Sequence, residues 1–290
     1  MSDDYLRSLR AGEQAGSRFV LATPKRQPLG AGGSHLSNRP GASIEFRDYR
    51  EYEPGDDLRR IDWSAFARTD KLTVKLYQDE VSPHLDLLID SSRSMALEET
   101  AKLEATLGLA ALFAVSAENA GFSHTAWQAR EGCDKVDGGA RGPVEWTANA
   151  FDYGGSLSDS LARTRPRFRH RSIRVLLSDL LFPGDPLAVL HNLCQDASTV
   201  VVVQLLAEAD AEPLARGNVR LVDSETGELR EVFVDASTAK RYAEALDRHQ
   251  HNWNQACRQA GAVITSLIAE QVVQNWNLEE LLSAGILEPV

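Results

Sequence analysis

The chain has 290 residues, enough for one large domain or a domain with an added module, and 43% hydrophobic with 25% charged residues is an ordinary globular composition. A net charge of -11 argues against a general nucleic-acid binder, which needs positive charge to displace counterions, and against adsorption on an anionic membrane. The longest apolar run, Leu107 to Ala117, is too short to span a bilayer, and the N-terminus MSDDYLRSLRAGEQAG lacks the apolar segment of a signal peptide. A cytoplasmic protein without membrane insertion is therefore expected, and the widely spaced Cys133, Cys194 and Cys257 read as reduced thiols.

Residues 1–42 read as a short helix followed by an extended or loop segment rich in Gly, Pro and Ser. Residues 43–83 read as a small β-rich module. Its segments IEFRDYREYE and LTVKLYQDE alternate apolar and polar residues, and a Pro-Gly turn and a short helix lie between them. From residue 84 to 290 strand and helix patterns alternate. HLDLLID (84–90) is a short apolar strand, and 97–121 is a helix with a buried face that stops at Gly121. FSHTAWQA (122–129) is the next strand, followed by a polar loop through 143 and a helix opening near Ser156.

SIRVLLSDLLF (172–182) contains a continuous apolar strand, DPLAVLHNLCQDAS a helix, and STVVVVQLLA (198–207) the strongest strand of the chain. NVRLVDSETGELREVFV (218–234) is a hairpin turning at Glu225-Thr226-Gly227. An amphipathic helix over 236–260, a last strand AVITSLIA and a last helix LEELLSAGIL complete the pattern. Continuous apolar strands separated by helices predict an α/β fold with a mainly parallel sheet covered on both faces.

In such sheets ligands sit beyond the carboxyl ends of strands, so those turns carry the functional signal. LDLLID runs into Asp90-Ser91-Ser92-Arg93-Ser94, VLLSD ends on Asp179, and Gly154-Gly155-Ser156 places a hydroxyl at a helix start. Hydroxyls and carboxylates are hard oxygen ligands suited to Mg²⁺ or Mn²⁺. A cation held mainly by neutral hydroxyls keeps most of its charge and favours a carboxylate from another molecule. Asp-x-Ser-x-Ser taken alone is more readily a helix N-cap than a metal site. It gains meaning from the strand before it and from the two other hydroxyl and carboxylate turns.

Asp90, Ser92, Ser94, Ser156 and Asp179 resemble the metal-ion-dependent adhesion site of von Willebrand A domains, with Ser156 standing where that motif usually has Thr. Upstream, the run from Glu45-Phe46-Arg47 through Tyr49-Arg50, Tyr52, Pro54-Gly55-Asp56-Asp57, Arg59 and Ile61-Asp62-Trp63, with Ala67-Arg68 and Leu72-Thr73-Val74-Lys75, is similar to the bacterial "domain of unknown function 58" family. The resemblance spans roughly residues 40–290. It implies a von Willebrand A-like domain with bound Mg²⁺ or Mn²⁺ and no catalytic residues. It further implies a non-enzymatic protein that binds a partner's Glu or Asp, that partner belonging to a MoxR-type AAA+ ATPase system. The alternative is a Mg²⁺-dependent phosphate-ester hydrolase at the same strand ends, which would need a general base or second metal. A third is a structural module whose serines only cap helices.

Other features weigh toward structure. Arg59, Arg60, Asp62, Trp63 and Arg68 suit an ion-pair and stacking network. Arg163, Arg165, Arg167, Arg169, Arg171 and Arg174 form one basic run on an acidic chain, a solvated loop or a dock for an acidic partner. His249 and His251 lie two apart on a predicted helix and face different ways. Gly30-x-Gly32-Gly33 lacks the Lys of a phosphate loop.

Overall fold

A computed structural model describes residues 3–22, 46–54, 56, 58–77, 83–147, 150–212, 217–224 and 227–290. The glycines at 30, 32 and 33, Glu45, Gly55, Asp57 and the hairpin residues Glu225 and Thr226 lie outside them. The chain divides into two compact units, Met1–Leu29 with Pro83–Val290, and Gly30–Ser82. The larger unit begins with helix α1 (Asp3–Gly16) and strand β1 (Phe19–Leu21).

In the smaller unit β2 (Phe46–Glu51), α2 (Trp63–Thr69) and β3 (Thr73–Tyr77) follow in order, and β2 and β3 pair antiparallel. Asp62 starts α2 by accepting the backbone N–H groups of Ser64 and Ala65, each at 3.0 Å, and Asp70 ends it in the left-handed conformation. Arg50 Nη2 reaches Asp56 Oδ1 at 2.6 Å while Asp56 Oδ2 accepts the Glu53 N–H at 2.9 Å. The described carboxylates of the upstream signature thus cap and tie their own turns. Trp63 is largely exposed, edge-on to Phe66 with ring centroids 6.3 Å apart.

The larger unit resumes with β4 (His84–Asp90), α3 (Lys102–Asn119), β5 (Ser123–Ala129) and β6 (Cys133–Lys135). Next come α4 (Leu157–Arg163), β7 (Ile173–Ser178), α5 (Pro186–Cys194), β8 (Thr199–Leu206) and the single turn α6 (Glu208–Ala211). A hairpin of β9 (Gly217–Val222) and β10 (Leu229–Val234) leads into α7 (Ala236–Ala260), which Gly261 ends at φ 71°. β11 (Val263–Ile268), α8 (Ala269–Asn275), α9 (Glu279–Ser283) and β12 (Leu287–Pro289) close the chain.

The central sheet has the order β11-β8-β7-β4-β5-β6, with the first five strands parallel and β6 antiparallel at the edge. Alternation along the strands divides the core in two. Leu85, Leu87, Ile89, Val175, Leu177, Val201 and Val203 pack with α1, α3, α8 and α9. Leu88, Leu176, Val200 and Val202 pack with α4, α5 and α7. This is the mainly parallel α/β sheet with helices on both faces that the apolar runs predict.

Details differ from the sequence expectation. α3 starts at Lys102 rather than 97, because Arg93–Ala96 form a 3-10 turn and Thr100 bonds back to Leu97 O through both its N–H and its hydroxyl. The expected loop after β5 contains β6, which is too short to show a pattern. β11 is not the last strand: α8 intervenes, and β12 pairs antiparallel with β1. α3 is buried nearly all round because α1 covers the face that the sheet does not, a close helix contact at which a Cβ on Gly12 would lie 2.8 Å from the carbonyl carbon of Gly108. Among the described residues no helix is long and apolar enough to cross a membrane.

Candidate metal centre

β4 is the strand where connections reverse. The chain leaves it through α3 to β5 on one side, and β7 pairs with it on the other. The carboxyl ends of two such neighbours diverge into a crevice, the usual ligand position in open α/β sheets. Asp90 is the last residue of β4 and Asp179 the first beyond β7, so the sheet sets the two acids side by side.

Asp90 is buried. Its Oδ1 accepts the Ser92 N–H at 3.0 Å and its Oδ2 accepts the Ser178 hydroxyl at 2.6 Å. In the turn that follows, the Ser92 and Ser94 hydroxyls are hydrogen-bonded to each other, Oγ to Oγ at 3.0 Å. Ser92 stands at the start of the 3-10 turn without a side-chain capping bond, so its hydroxyl is not spent on the backbone there. Ser91, between Asp90 and Ser92, is fully buried with its hydroxyl lacking a hydrogen-bond partner among the described residues.

The loop ahead of α4 runs alongside this turn: Ser92 bridges Tyr153 and the Arg93 N–H donates to Tyr153 O at 3.0 Å. A Cβ on Gly155 would lie 2.6 Å from Cζ of the Tyr153 ring, so a larger residue there would require the ring to move. Ser156, three residues on from Tyr153, is buried, and its hydroxyl accepts the Asp159 N–H at 3.2 Å and donates to Asp159 Oδ2 at 2.8 Å. That capping box holds the Asp159 carboxyl below its ordinary pKa. The structure therefore unites Asp90, Ser92 and Ser94 in one turn, puts Asp179 on the adjoining strand end, and leaves the Ser156 hydroxyl engaged by its own helix.

Asp179 is held from several sides. Its N–H points to Met95 Sδ at 3.2 Å, its carbonyl accepts Gln204 Nε2 at 3.1 Å, and its Oδ1 accepts the Leu181 N–H at 3.0 Å. Its Oδ2 lies 3.0 Å from Lys102 Nζ, which also reaches Asp210 Oδ2 at 2.8 Å. Burial works against the Lys102 charge, but Asp179 and Asp210 outweigh it and hold its pKa above the ordinary lysine value. Burial first, and then the charge of Asp179, push the Asp90 carboxyl up to about 6 against the hydrogen bonds from Ser178 and Ser92. Leu180 sits at φ 60°, a conformation costly for a branched side chain, with its N–H on Ser178 Oγ at 3.0 Å and its carbonyl 2.7 Å from His249 Nε2.

Do these residues fit a divalent ion? Among the described residues no three His, Cys, Asp or Glu side chains are placed to hold one, so this is not a carboxylate cage. Hydroxyl ligation fits better. Around an octahedral Mg²⁺ with oxygens at about 2.1 Å, neighbouring ligand oxygens stand about 3.0 Å apart. Ser92 Oγ and Ser94 Oγ, now sharing a hydrogen bond that an ion would replace, have that separation beside two buried carboxylates whose mutual repulsion a cation would relieve.

Of the basic run and the three cysteines, only Arg174, Cys133 and Cys257 are buried. Arg174 leaves the basic run: it is buried, its Nη1 donating to Leu193 O and Gln195 O, each at 2.7 Å, with Phe168 4.7 Å beneath its guanidinium. Arg163, Arg165, Arg167, Arg169 and Arg171 are exposed. Cys133 and Cys257 are buried, and burial pushes both thiols up to about 12. Lys102, Ser178, Asp210 and Gln204 are the site residues that sequence reasoning missed.

A family described as "Protein of unknown function DUF58" matches residues 48–252, more than half of the chain, and the chain belongs to that family. "Uncharacterized protein Rv1480" of Mycobacterium tuberculosis is 27% identical over 247 residues, covering 81% of this chain and 78% of that one. "Uncharacterized protein MAV169" of Mycobacterium avium is 30% identical over 116 residues, 39% of this chain and 66% of that one. Among solved structures, the conserved hypothetical protein BatB from Bacteroides thetaiotaomicron matches with 9% identity and a TM-score of 0.34, covering 69% of this chain and 98% of that one. An aerotolerance-related membrane protein from Bacteroides fragilis matches over the same shares with 13% identity and a TM-score of 0.34. At that score the likeness assigns neither a function nor a location to this chain.

Proposed function

We propose that this DUF58 protein is a non-enzymatic, metal-dependent protein-binding module of the cytoplasm, with a von Willebrand A-type site for Mg²⁺ or Mn²⁺ at the ends of β4 and β7. Ser92, Ser94 and Ser156 supply hydroxyl ligands, the last by exchanging its hydrogen bond with Asp159. Asp90 and Asp179 orient hydroxyls and ion-bound water from behind. The ion, when bound, offers positive charge and an open position to a partner's carboxylate. The observation that carries this reading is the 3.0 Å spacing of Ser92 Oγ and Ser94 Oγ at the switch point, beside buried Asp90. The family resemblance of the upstream signature points to a MoxR-type AAA+ ATPase system as the source of the partner.

Calorimetric titration of the full chain with Mg²⁺ and Mn²⁺ tests the site, with Ser92→Ala and Asp179→Ala alongside. Binding by the parent protein that both substitutions weaken supports it. No heat with any protein, even with a candidate partner present, refutes it. Partner binding that survives chelation and both substitutions would leave the metal but remove its docking role.

A further inference from the structure

Lys102 is the first residue of α3, and nothing about that position favours a lysine. A helix N-terminus carries partial positive charge and repels a cation. The side chain is only 1% exposed, so its ammonium has also given up its water. Two carboxylates from distant parts of the chain compensate, Asp179 Oδ2 at 3.0 Å and Asp210 Oδ2 at 2.8 Å. The same corner is braced by Glu270, which accepts the Glu208 N–H at 2.9 Å and the Ala101 N–H at 3.3 Å. Lys102 therefore joins the start of α3 to the ends of β7 and β8, and it is the cation that Asp179 already has.

We propose that Lys102 is the internal counter-cation of the metal site, holding Asp179 neutralised when no ion is bound and opposing the ion's entry. The proposal rests on the metal-site reading above and adds its regulation. With Lys102 Nζ on Oδ2 and the Leu181 N–H on Oδ1, both Asp179 oxygens are engaged. A divalent ion drawing on Asp179 must share it with a buried positive charge, and like charges in so dry a corner repel strongly. The site is thereby set to weak affinity for the bare ion. A partner's carboxylate, arriving with the ion, supplies the missing negative charge, so ion and partner bind together. Asp210 tunes the balance, since it competes with Asp179 for the same ammonium.

Mn²⁺ titration by calorimetry and metal-free melting curves test this with the full chain, Lys102→Gln and Asp210→Asn. Lys102→Gln should melt lower than the parent without metal, because Asp90 and Asp179 then face each other uncompensated, yet bind Mn²⁺ about tenfold tighter as the repulsive charge is removed. Asp210→Asn should act in the opposite sense on the ion and bind Mn²⁺ severalfold more weakly, since Lys102 is then left to Asp179 alone. A folded Lys102→Gln protein that binds Mn²⁺ no tighter than the parent overturns the proposal and leaves Lys102 a structural anchor, with the metal site intact. If Lys102→Gln fails to fold, Asp210→Asn decides: unchanged Mn²⁺ affinity overturns the proposal. No Mn²⁺ binding by the parent or any variant removes the metal site and this role together.

Discussion

The Ser178 hydroxyl donates to Asp90 Oδ2 at 2.6 Å, so the last residue of β7 holds the last residue of β4. Ser178 also accepts the Leu180 N–H at 3.0 Å, which ties the same hydroxyl to the left-handed turn after Asp179. One side chain thus fixes both acids of the candidate site. Replacing Ser178 by Ala strands a buried carboxylate oxygen and should lower stability by about 1–3 kcal/mol. Urea unfolding at neutral pH measures it. The loss should shrink to less than half in an Asp90→Asn background, where no charge is stranded; equal losses in both backgrounds would show that the bond to Asp90 is not what Ser178 contributes.

Asp90 carries a pH signature. Its carboxyl is pushed from the ordinary 3.8 up to about 6, so the folded protein binds the proton more tightly than the unfolded chain does. Between about pH 4 and 6 folding takes up a proton at this group. Its stabilising contribution is therefore present at the acid end and is lost as pH rises through 6, a change of about 3 kcal/mol. Unfolding free energies of the parent and Asp90→Asn, compared from pH 4 to 7.5, isolate it from the other carboxyls. The parent should fall relative to the variant across that window. A difference that is flat with pH would mean that Asp90 ionises normally.

How much of this edge is legible in the sequence depends on how local each signal is. The β4 turn is legible because an apolar run and Asp90-Ser91-Ser92-Arg93-Ser94 are contiguous, and a strand end is where such residues act. The parallel sheet is legible because Thr199 to Leu206 contains little besides β-branched and apolar residues. Lys102 is not, because its partners lie 77 and 108 positions away and a lone lysine in a helix reads as solvent-facing. Its place in the first turn, against the helix dipole, is the one local hint. Asp210 sits on a four-residue helix too short to show periodicity. Ser178 hides inside the strand pattern, since period 2 says which way a side chain points but not which carboxylate it meets.

The basic run is two different things, and substitution should separate them. Arg174 donates to Leu193 O and Gln195 O at the end of α5, satisfying carbonyls that the helix itself cannot. Arg174→Met should cost about 2–3 kcal/mol, because two charge-assisted hydrogen bonds are lost, one of them to the buried Leu193 carbonyl. Arg165→Gln, on the exposed loop, should stay within about 0.5 kcal/mol of the parent. Thermal or urea unfolding of the two variants gives the answer. Similar losses in both would mean that the run acts as one structural unit.

Gly12 faces Gly108 across the contact between α1 and α3, where a Cβ would lie 2.8 Å from the Gly108 carbonyl carbon and 2.9 Å from the Ala111 Cβ. Two effects compete in Gly12→Ala. Helix propensity favours alanine over glycine by about 1 kcal/mol in a helix interior. Overpacking against backbone, which cannot rotate away as a long side chain can, costs about 1–3 kcal/mol and rises steeply if the helices hold their spacing. The clash should win, giving a net loss, and the helices can relieve it only by separating. Separation would expose the apolar α1 face at Tyr5, Leu9 and Ala15 and pull on β1, whose only described strand partner is β12. Gly12→Ala should therefore unfold at lower urea, with amide exchange rising first in α1, β1 and β12 while the central strands stay protected. A stabilised variant with unchanged exchange would mean that α1 and α3 do not approach to backbone contact.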